Sequence, residues 1–445
     1  MAERRPRVWL KRRRALLEMS QEALAAAVGV SVNTVQRWLS GEDTPQGTNR
    51  RRLAAAVGLS VDTVDRLLEQ ERKRPSDNGG YATMEPLALD SRVGAHGCPR
   101  CGSSLEGCDM HRRDFIIGGM LAALGMPEPI GLWFSEERCP LLEEGDVLTL
   151  SGLCTDHLAK QDAQVGGGAV CDVAMGMHRR VQAWCRDVDV PSQVRGPLER
   201  FCGELGAWAG WLAFDAGRIQ LAQRCLQDTI LHARLVGDEM AELRAMDSLS
   251  SIQLNDFQDP RASLQVANAG LRIAAERAPS TVSALFCMRA ALGYAYLGDA
   301  AAFEHHVARG VDLLELNTRQ AQAPEWIRWV TETKWQALTG VGYSALGQSA
   351  QAVEALEVVR KRSNQPYRRD GLLDQIRLAR ALGQQGDTVQ AGTIAIEILP
   401  DAFALQSSSI RRDFRRLRNF LSQQPALPQV TRDFIATYDD MVLCA

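Results

Sequence analysis

Residues 21–40, Gln-Glu-Ala-Leu-Ala-Ala-Ala-Val-Gly-Val-Ser-Val-Asn-Thr-Val-Gln-Arg-Trp-Leu-Ser, constrain the fold of this chain more than any other stretch. Apolar side chains recur at Leu24, Val28, Val35 and Trp38, the spacing of two short helices that each bury one face. Ala25 is small where the two helices must cross closely. Gly29 stands where the first helix has to stop, and a residue without a Cβ enters the left-handed conformation at least cost. Ser31 is placed to cap the second helix. The exposed face of that helix is then Val32, Asn33, Thr34, Gln36 and Arg37. Amide and guanidinium tips pair bidentately with adenine and guanine edges in the major groove, so the pattern predicts a helix that reads duplex DNA. The competing reading is a helical hairpin with no DNA role. Spacing, turn glycine and charge together count against it.

Continued through Arg37-Trp38-Leu39-Ser40-Gly41-Glu42, with Pro45 soon after, the stretch resembles the Cro/repressor-type helix-turn-helix family, also called the xenobiotic-response-element (XRE) type. The resemblance covers about the first 70 residues. It implies that Gln21, first in its helix, grips a phosphate, and that Val32, Asn33, Thr34, Gln36 and Arg37 approach the bases. Many members carry glutamate or glutamine where Val32 or Leu39 stands here, so base preference does not transfer.

Charge agrees with this. Residues 1–75 hold 15 Lys plus Arg against 9 Asp plus Glu, a net of +6, whereas the whole chain is −3 and the remainder therefore −9. A basic head on an acidic body suits one DNA-binding module joined to a non-binding domain. The densest clusters are Arg12-Arg13-Arg14 and Arg50-Arg51-Arg52. Singly each arginine is as readily a solvated charge; as sets they are expected to neutralise phosphates, with Arg14, Arg50 and Arg51 the leading candidates.

At 445 residues the chain is long enough for two or three domains. It has almost no run of alternating β-branched residues and is rich in alanine, so the fold is expected to be nearly all α. Three regions are expected: a helix-turn-helix domain at 1–74, a linker at 75–142 and a helical domain at 143–445. The N-terminal arginines precede a helical pattern rather than an apolar segment, so a cytoplasmic, non-exported protein is expected. Arg112-Arg113 before an apolar stretch imitates a twin-arginine export signal. That stretch, residues 115–126, is too short to cross a bilayer, which takes about 20 residues. A short helix buried against the C-terminal domain is expected there, and no membrane role.

The linker contains Cys98-Pro-Arg-Cys101-Gly and then Cys108 and His111, the spacing C-x2-C-x6-C-x2-H. This is the shape of a zinc knuckle. Cys98, Cys101, Cys108 and His111 would complete a tetrahedral, closed, structural site for one zinc ion. A flexible cysteine-bearing linker is the alternative. The remaining cysteines, among them Cys154, Cys171, Cys185, Cys202, Cys225 and Cys287, are expected to be reduced thiols acting as small apolar residues.

The C-terminal half repeats itself. Gly210, Gly217 and Ala222 fall at offsets that recur at Gly340, Gly347 and Ala352, and Gly386 and Ala391 keep the last two. Ala262 fits an intervening copy, and another is hidden near Phe303. Five hairpins are expected between 150 and 400, then terminal helices at 407–421 and 430–443. The pattern resembles the tetratricopeptide repeat (TPR) family in degenerate form. That resemblance implies a superhelix whose concave face binds an extended peptide or a partner's tail. Trp208, Trp211, Trp326, Trp329, Trp335, Tyr294, Tyr296 and Tyr343 are candidate lining residues, each as readily core. Arg368 and Arg369, beside Tyr367, are either a carboxylate clamp or surface charge.

The whole chain is similar to actinobacterial regulators that join a Cro/repressor-type head to a tetratricopeptide-like body. The resemblance implies a sequence-specific transcriptional regulator, a homodimer on double-stranded DNA, whose repeat domain senses a peptide or protein ligand. The alternative is an interaction scaffold localised on DNA without sensing. No enzymatic activity is expected. The chain has no nucleotide-binding glycine loop, and His305-His306 and Gly166-Gly167-Gly168 lack supporting context, reading as a solvated helix face and a loop.

Overall fold

The computed structural model describes residues 7–16, 19–73, 134, 139–141, 143–317, 325–362 and 368–444, and every regular element among them is helical. The chain divides into two compact units, residues 1–150 with 186–194, and residues 151–185 with 195–445.

The first unit contains α1 (Val8–Leu16), α2 (Gln21–Val28), α3 (Val32–Leu39), α4 (Gly47–Ala56) and α5 (Val61–Lys73). Local signals set the helix ends. Ser20 and Ser31 accept the backbone N–H groups of Ala23 and Thr34, at 3.1 and 3.2 Å. Gly29 closes α2 at φ 76° and donates to the carbonyls of Ala25 and Ala26. Leu10, Leu24, Val28, Val35, Trp38, Leu53, Val57, Val64 and Leu68 meet in one core. Leu24, Val28, Val35 and Trp38 come from the faces predicted by their spacing. Cys98, Cys101, Cys108 and His111 lie outside the described residues, as does the apolar stretch 115–126.

The first unit also takes in residues 139–150, and so reaches past the expected boundary at 143. The division falls inside α6 (Glu144–Val165), and residues 186–194 go with the first unit. Polar contacts hold these pieces: Arg13 pairs with Asp146 and, at 4.0 Å, with Glu143, and Asp187 accepts the Cys139 N–H at 3.3 Å.

In the second unit, α7 (Gly167–Cys185) precedes five hairpins: α8 (Ser192–Asp215) with α9 (Ile219–Val236), α10 (Glu239–Asn255) with α11 (Pro260–Arg277), α12 (Ser280–Tyr296) with α13 (Ala300–Asn317), α14 (Glu332–Ala345) with α15 (Ser349–Arg362), and α16 (Arg368–Gln385) with α17 (Thr388–Ala404). α18 (Ser408–Ser422) and α19 (Gln429–Cys444) end the chain, within a residue or two of expectation. The first helices of successive hairpins pack together, α10 on α12, α12 on α14 and α14 on α16.

The repeated small residues have a steric cause. A Cβ on Gly210 would stand 2.4 Å from Leu226 of the partner helix, and one on Gly340 would stand 2.8 Å from Leu356. In both hairpins the facing leucine is sixteen residues on, so the same crossing is built twice. Gly217, Gly347 and Gly386 make the turns at φ 77°, 75° and 96°. The hidden copy is now plain. Gly298 turns α12 into α13 at φ 82°, and Phe303 occupies the position that holds alanine elsewhere. Gly342 of the next hairpin makes room for that ring, since a Cβ there would lie 2.2 Å from it. The run Gly166-Gly167-Gly168 is no loop: α7 starts within it, and the Gly168 N–H donates to the Gln406 carbonyl at 2.8 Å.

Candidate nucleic-acid interface and ligand face

α3 presents Asn33, Gln36 and Arg37 exposed, with Val35, Trp38 and Leu39 buried on the opposite side. Thr34 is half-buried and hydrogen-bonded to the Ser31 hydroxyl at 2.9 Å. Val32 packs against the core, which leaves it less able to meet a base than its sequence position suggests. Gln21 is half-buried at the first position of α2. Its neighbour Glu22 is exposed, and hydrogen bonds from its own backbone N–H and from Ser20 hold its carboxyl below the usual range.

The arginine clusters split by role. Arg13 donates to the Val57 carbonyl at 2.7 Å and meets Asp146 and Glu143. Arg14 donates to the Met19 carbonyl at 2.7 Å, closing the corner between α1 and α2. Arg50 donates to the Pro45 carbonyl at 3.0 Å and pairs with Asp65 at 2.8 Å. Arg14 and Arg50, both expected to hold phosphate, thus have partners inside the protein. Arg51 and Arg52 are exposed, and Arg52 lies beside the Gly29 turn. Arg37 makes a 3.6 Å exposed pair with Asp43, a contact a base edge can replace at little cost.

One positioning residue escaped sequence reasoning. Arg7 is 6 % exposed and clamps the exit of α3, donating to the Trp38 carbonyl at 2.8 Å, to the Asp43 carbonyl and to Thr44 Oγ1 at 2.6 Å. It sits among Arg4, Arg5 and the cluster at 12–14, so nothing in the sequence separates it from solvated arginines.

The first helices of the hairpins carry cations stacked on aromatic rings. Arg244 lies 4.5 Å over Trp208, and Arg289 lies 5.9 Å over Trp329 while donating to Asp247 at 2.6 and 3.2 Å. Burial pulls the Arg244 guanidinium down to about 10. Trp208, Trp211, Trp326, Trp329, Tyr294 and Tyr343 are half-buried, as a ligand face needs, and Tyr296 is exposed. Trp335 is core, 4 % exposed and wedged against Gly310.

The Arg368–Arg369 pair holds the protein's own carboxylates. Arg368 meets exposed Asp401 at 2.5 Å. Arg369 meets buried Asp162 at 2.5 Å and Asp215 at 3.8 Å, 5.3 Å over Trp211, whose Nε1–H donates to Asp162 at 3.1 Å. Tyr367 lies outside the described residues.

Alongside, Lys334 pairs with Asp370 at 3.3 Å and Asp374 at 3.4 Å. Burial pushes the Asp370 carboxyl up, but Lys334, Arg369 and Arg377 outweigh it and hold it down at about 2. A carboxyl depressed in the folded state contributes stability above its unfolded pKa of about 4 and loses it as pH falls through the folded value. We expect the repeat unit to lose stability between about pH 4 and pH 2, and Asp370→Asn to flatten that slope, read from urea midpoints. An unchanged slope would remove Asp370 from the acid response.

Among the described residues no helix is long and apolar enough to cross a membrane, and no group of three or more His, Cys, Asp or Glu is arranged to hold a metal ion.

Residues 10–64 match the helix-turn-helix family. Among solved structures, the chain is similar to a signal transduction ATPase with numerous domains (STAND) protein with a tetratricopeptide repeat sensor from Pyrococcus horikoshii, at 10% identity and a TM-score of 0.36. That likeness covers 76% of this chain and 54% of the other, so the chain spans about half the length of that protein. A search of curated proteins returned no match.

Proposed function

We propose that this protein is a sequence-specific, DNA-binding transcriptional regulator whose helical-repeat unit senses a peptide or protein partner. The observation that supports it best is α3 itself: a capped helix after a left-handed glycine turn, with Asn33, Gln36 and Arg37 exposed together. These groups contact bases. Arg51 and Arg52 contact phosphate, with Gln21 at the start of α2. Arg7, Arg14 and Arg50 position the reader rather than bind DNA. The stacked cations and Trp208 and Trp211 on the first helices of the hairpins, with Trp326 and Trp329 just before α14, form the partner face. The protein works as a cytoplasmic homodimer on paired half-sites and is not an enzyme. One zinc ion on Cys98, Cys101, Cys108 and His111 belongs to this reading as a structural element.

The test is selection of bound duplexes from a random pool by the full chain, followed by titration with and without the partner recovered from cells. Arg37→Ala is expected to cost about 1–3 kcal/mol at one base position and relax preference there. Arg51→Ala is expected to weaken all sequences alike and lower the salt slope by about one. No enriched sequence in the pool sinks the reading. Equal operator affinity with and without partner removes the sensing half, because coupling requires the partner to bind the two states differently.

A further inference from the structure

Cys185 and Cys202 meet where α7 and α8 run past each other. His178 of α7 lies beside Gly206 of α8, whose Cβ would stand 3.0 Å from His178 Nε2. Seven residues on, Cys185 Sγ lies 3.8 Å from the Leu198 carbonyl. The residue number rises along one helix as it falls along the other, so the pair is antiparallel. Helical side chains lean toward the N-terminus of their own helix. Cys185 at the end of α7 therefore leans back toward Val181, and Cys202 leans back toward Leu198. The two leanings converge, which brings the two thiols toward one another across the helix pair. Cys202 is 2 % exposed, whereas Cys185 is half-buried. The other buried thiol nearby, Cys225, is engaged with the Gly206 carbonyl at 3.5 Å and His178 Nδ1 at 4.0 Å.

We propose that Cys185 and Cys202 form a reversible disulfide site that a small hydroperoxide oxidises. Cys185 and His178 lower the Cys202 thiol below its ordinary value against the pull of burial, and Cys202 and burial raise Cys185. Cys202 is thus the readier of the two to give up its proton and attack, and Cys185, whose S–H donates to the Leu198 carbonyl, follows. The Cys202 sulfur attacks one peroxide oxygen, an S–O bond forms and the O–O bond breaks. The departing oxygen takes the proton that Cys202 has given up and leaves as water, or as an alcohol from an alkyl peroxide. The Cys185 sulfur then attacks the Cys202 sulfenic acid. The S–S bond forms, the S–O bond breaks, and the hydroxyl leaves with the Cys185 proton as water. Two thiols lose two electrons and the peroxide gains them.

The position gives the bond a structural effect. The chain leaves the second unit at Arg186 and re-enters it at Arg195. A Cys185–Cys202 bond ties the departure to the return and closes that segment as a loop.

The experiment uses the full, reduced chain exposed to hydrogen peroxide, blocked with an alkylating reagent and digested with trypsin without reductant. The expected product joins peptide 181–186 to peptide 201–218, disappears on adding dithiothreitol, and leaves the Cys225 peptide alkylated. Cys185→Ser should leave Cys202 as a sulfenic acid that dimedone traps, and Cys202→Ser should slow oxidation at Cys185 at least tenfold. Recovery of both peptides alkylated from folded, peroxide-treated protein overturns the proposal. So does a bond from Cys202 to any other cysteine, or one that forms only in urea. Because the wild-type map is read first, a variant that fails to fold does not rescue a negative result.

Discussion

Arg369→Ala lowers the stability of the repeat unit by about 3–5 kcal/mol, the cost of stranding buried charge. Arg369 lies on α16, yet its partners are Asp162 on α6 and Asp215 on α8, both buried. Asp215 is further held by the Ser407 hydroxyl at 2.7 Å and the Gly167 N–H at 2.9 Å, so the ionic knot joins α16, α6 and α8 to the starts of α7 and α18. Burial pulls the guanidinium down, but Asp162, Asp215 and Asp370 raise it and prevail. Burial also raises the Asp162 carboxyl, with Arg369 opposing. Without Arg369, Asp162 would rise further and take a proton. The variant is therefore expected to be weakest at neutral pH and to recover part of its stability on mild acidification. Asp162→Asn in the Arg369→Ala background should recover stability in the same way. Chemical denaturation of the wild type, both single variants and the double variant at two pH values measures this. A loss under about 1 kcal/mol, or no recovery with Asp162→Asn, would show that the knot contributes little.

Trp38→Ala is expected to abolish DNA binding by unfolding the reader and to leave the repeat unit folded. Trp38 is 2 % exposed at the centre of the first unit's core, and its carbonyl accepts from Arg7. Truncating a buried tryptophan costs about 3–5 kcal/mol. A domain of this size has roughly 0.05–0.15 kcal/mol of stability per residue, so the loss consumes most of it. Helical signal from the repeat unit should persist while trypsin cleaves within α1 to α5. Retained operator affinity in this variant would mean that α3 is not the reader.

The reader was legible because its signals are short-ranged. Ser20, Gly29 and Ser31 act on backbone groups two to four residues away, and the Leu24, Val28, Val35 and Trp38 spacing names the buried face. The crossing glycines were legible for a similar reason, since Gly210 and Gly340 meet a leucine at one fixed distance along each hairpin. The copy near Phe303 was located by spacing alone and without its small residue, because its steric compensation, Gly342, sits in the following hairpin.

By itself, then, the sequence determined the all-helical class, the ends of α2 and α3, the residues α3 turns outward and the beat of the hairpins. Tertiary structure alone decided which charges are free to act. Arg13, Arg14 and Arg50 look like Arg51 and Arg52 in the chain, yet the first three meet carbonyls and carboxylates of the fold. Arg369 finds Asp162 across 207 residues, and Cys185 finds Cys202 only because α7 and α8 run antiparallel. A helix cap is a contact the backbone makes with itself within one turn. A buried ion pair or thiol pair depends on which distant helix packs alongside, and no local pattern records that choice.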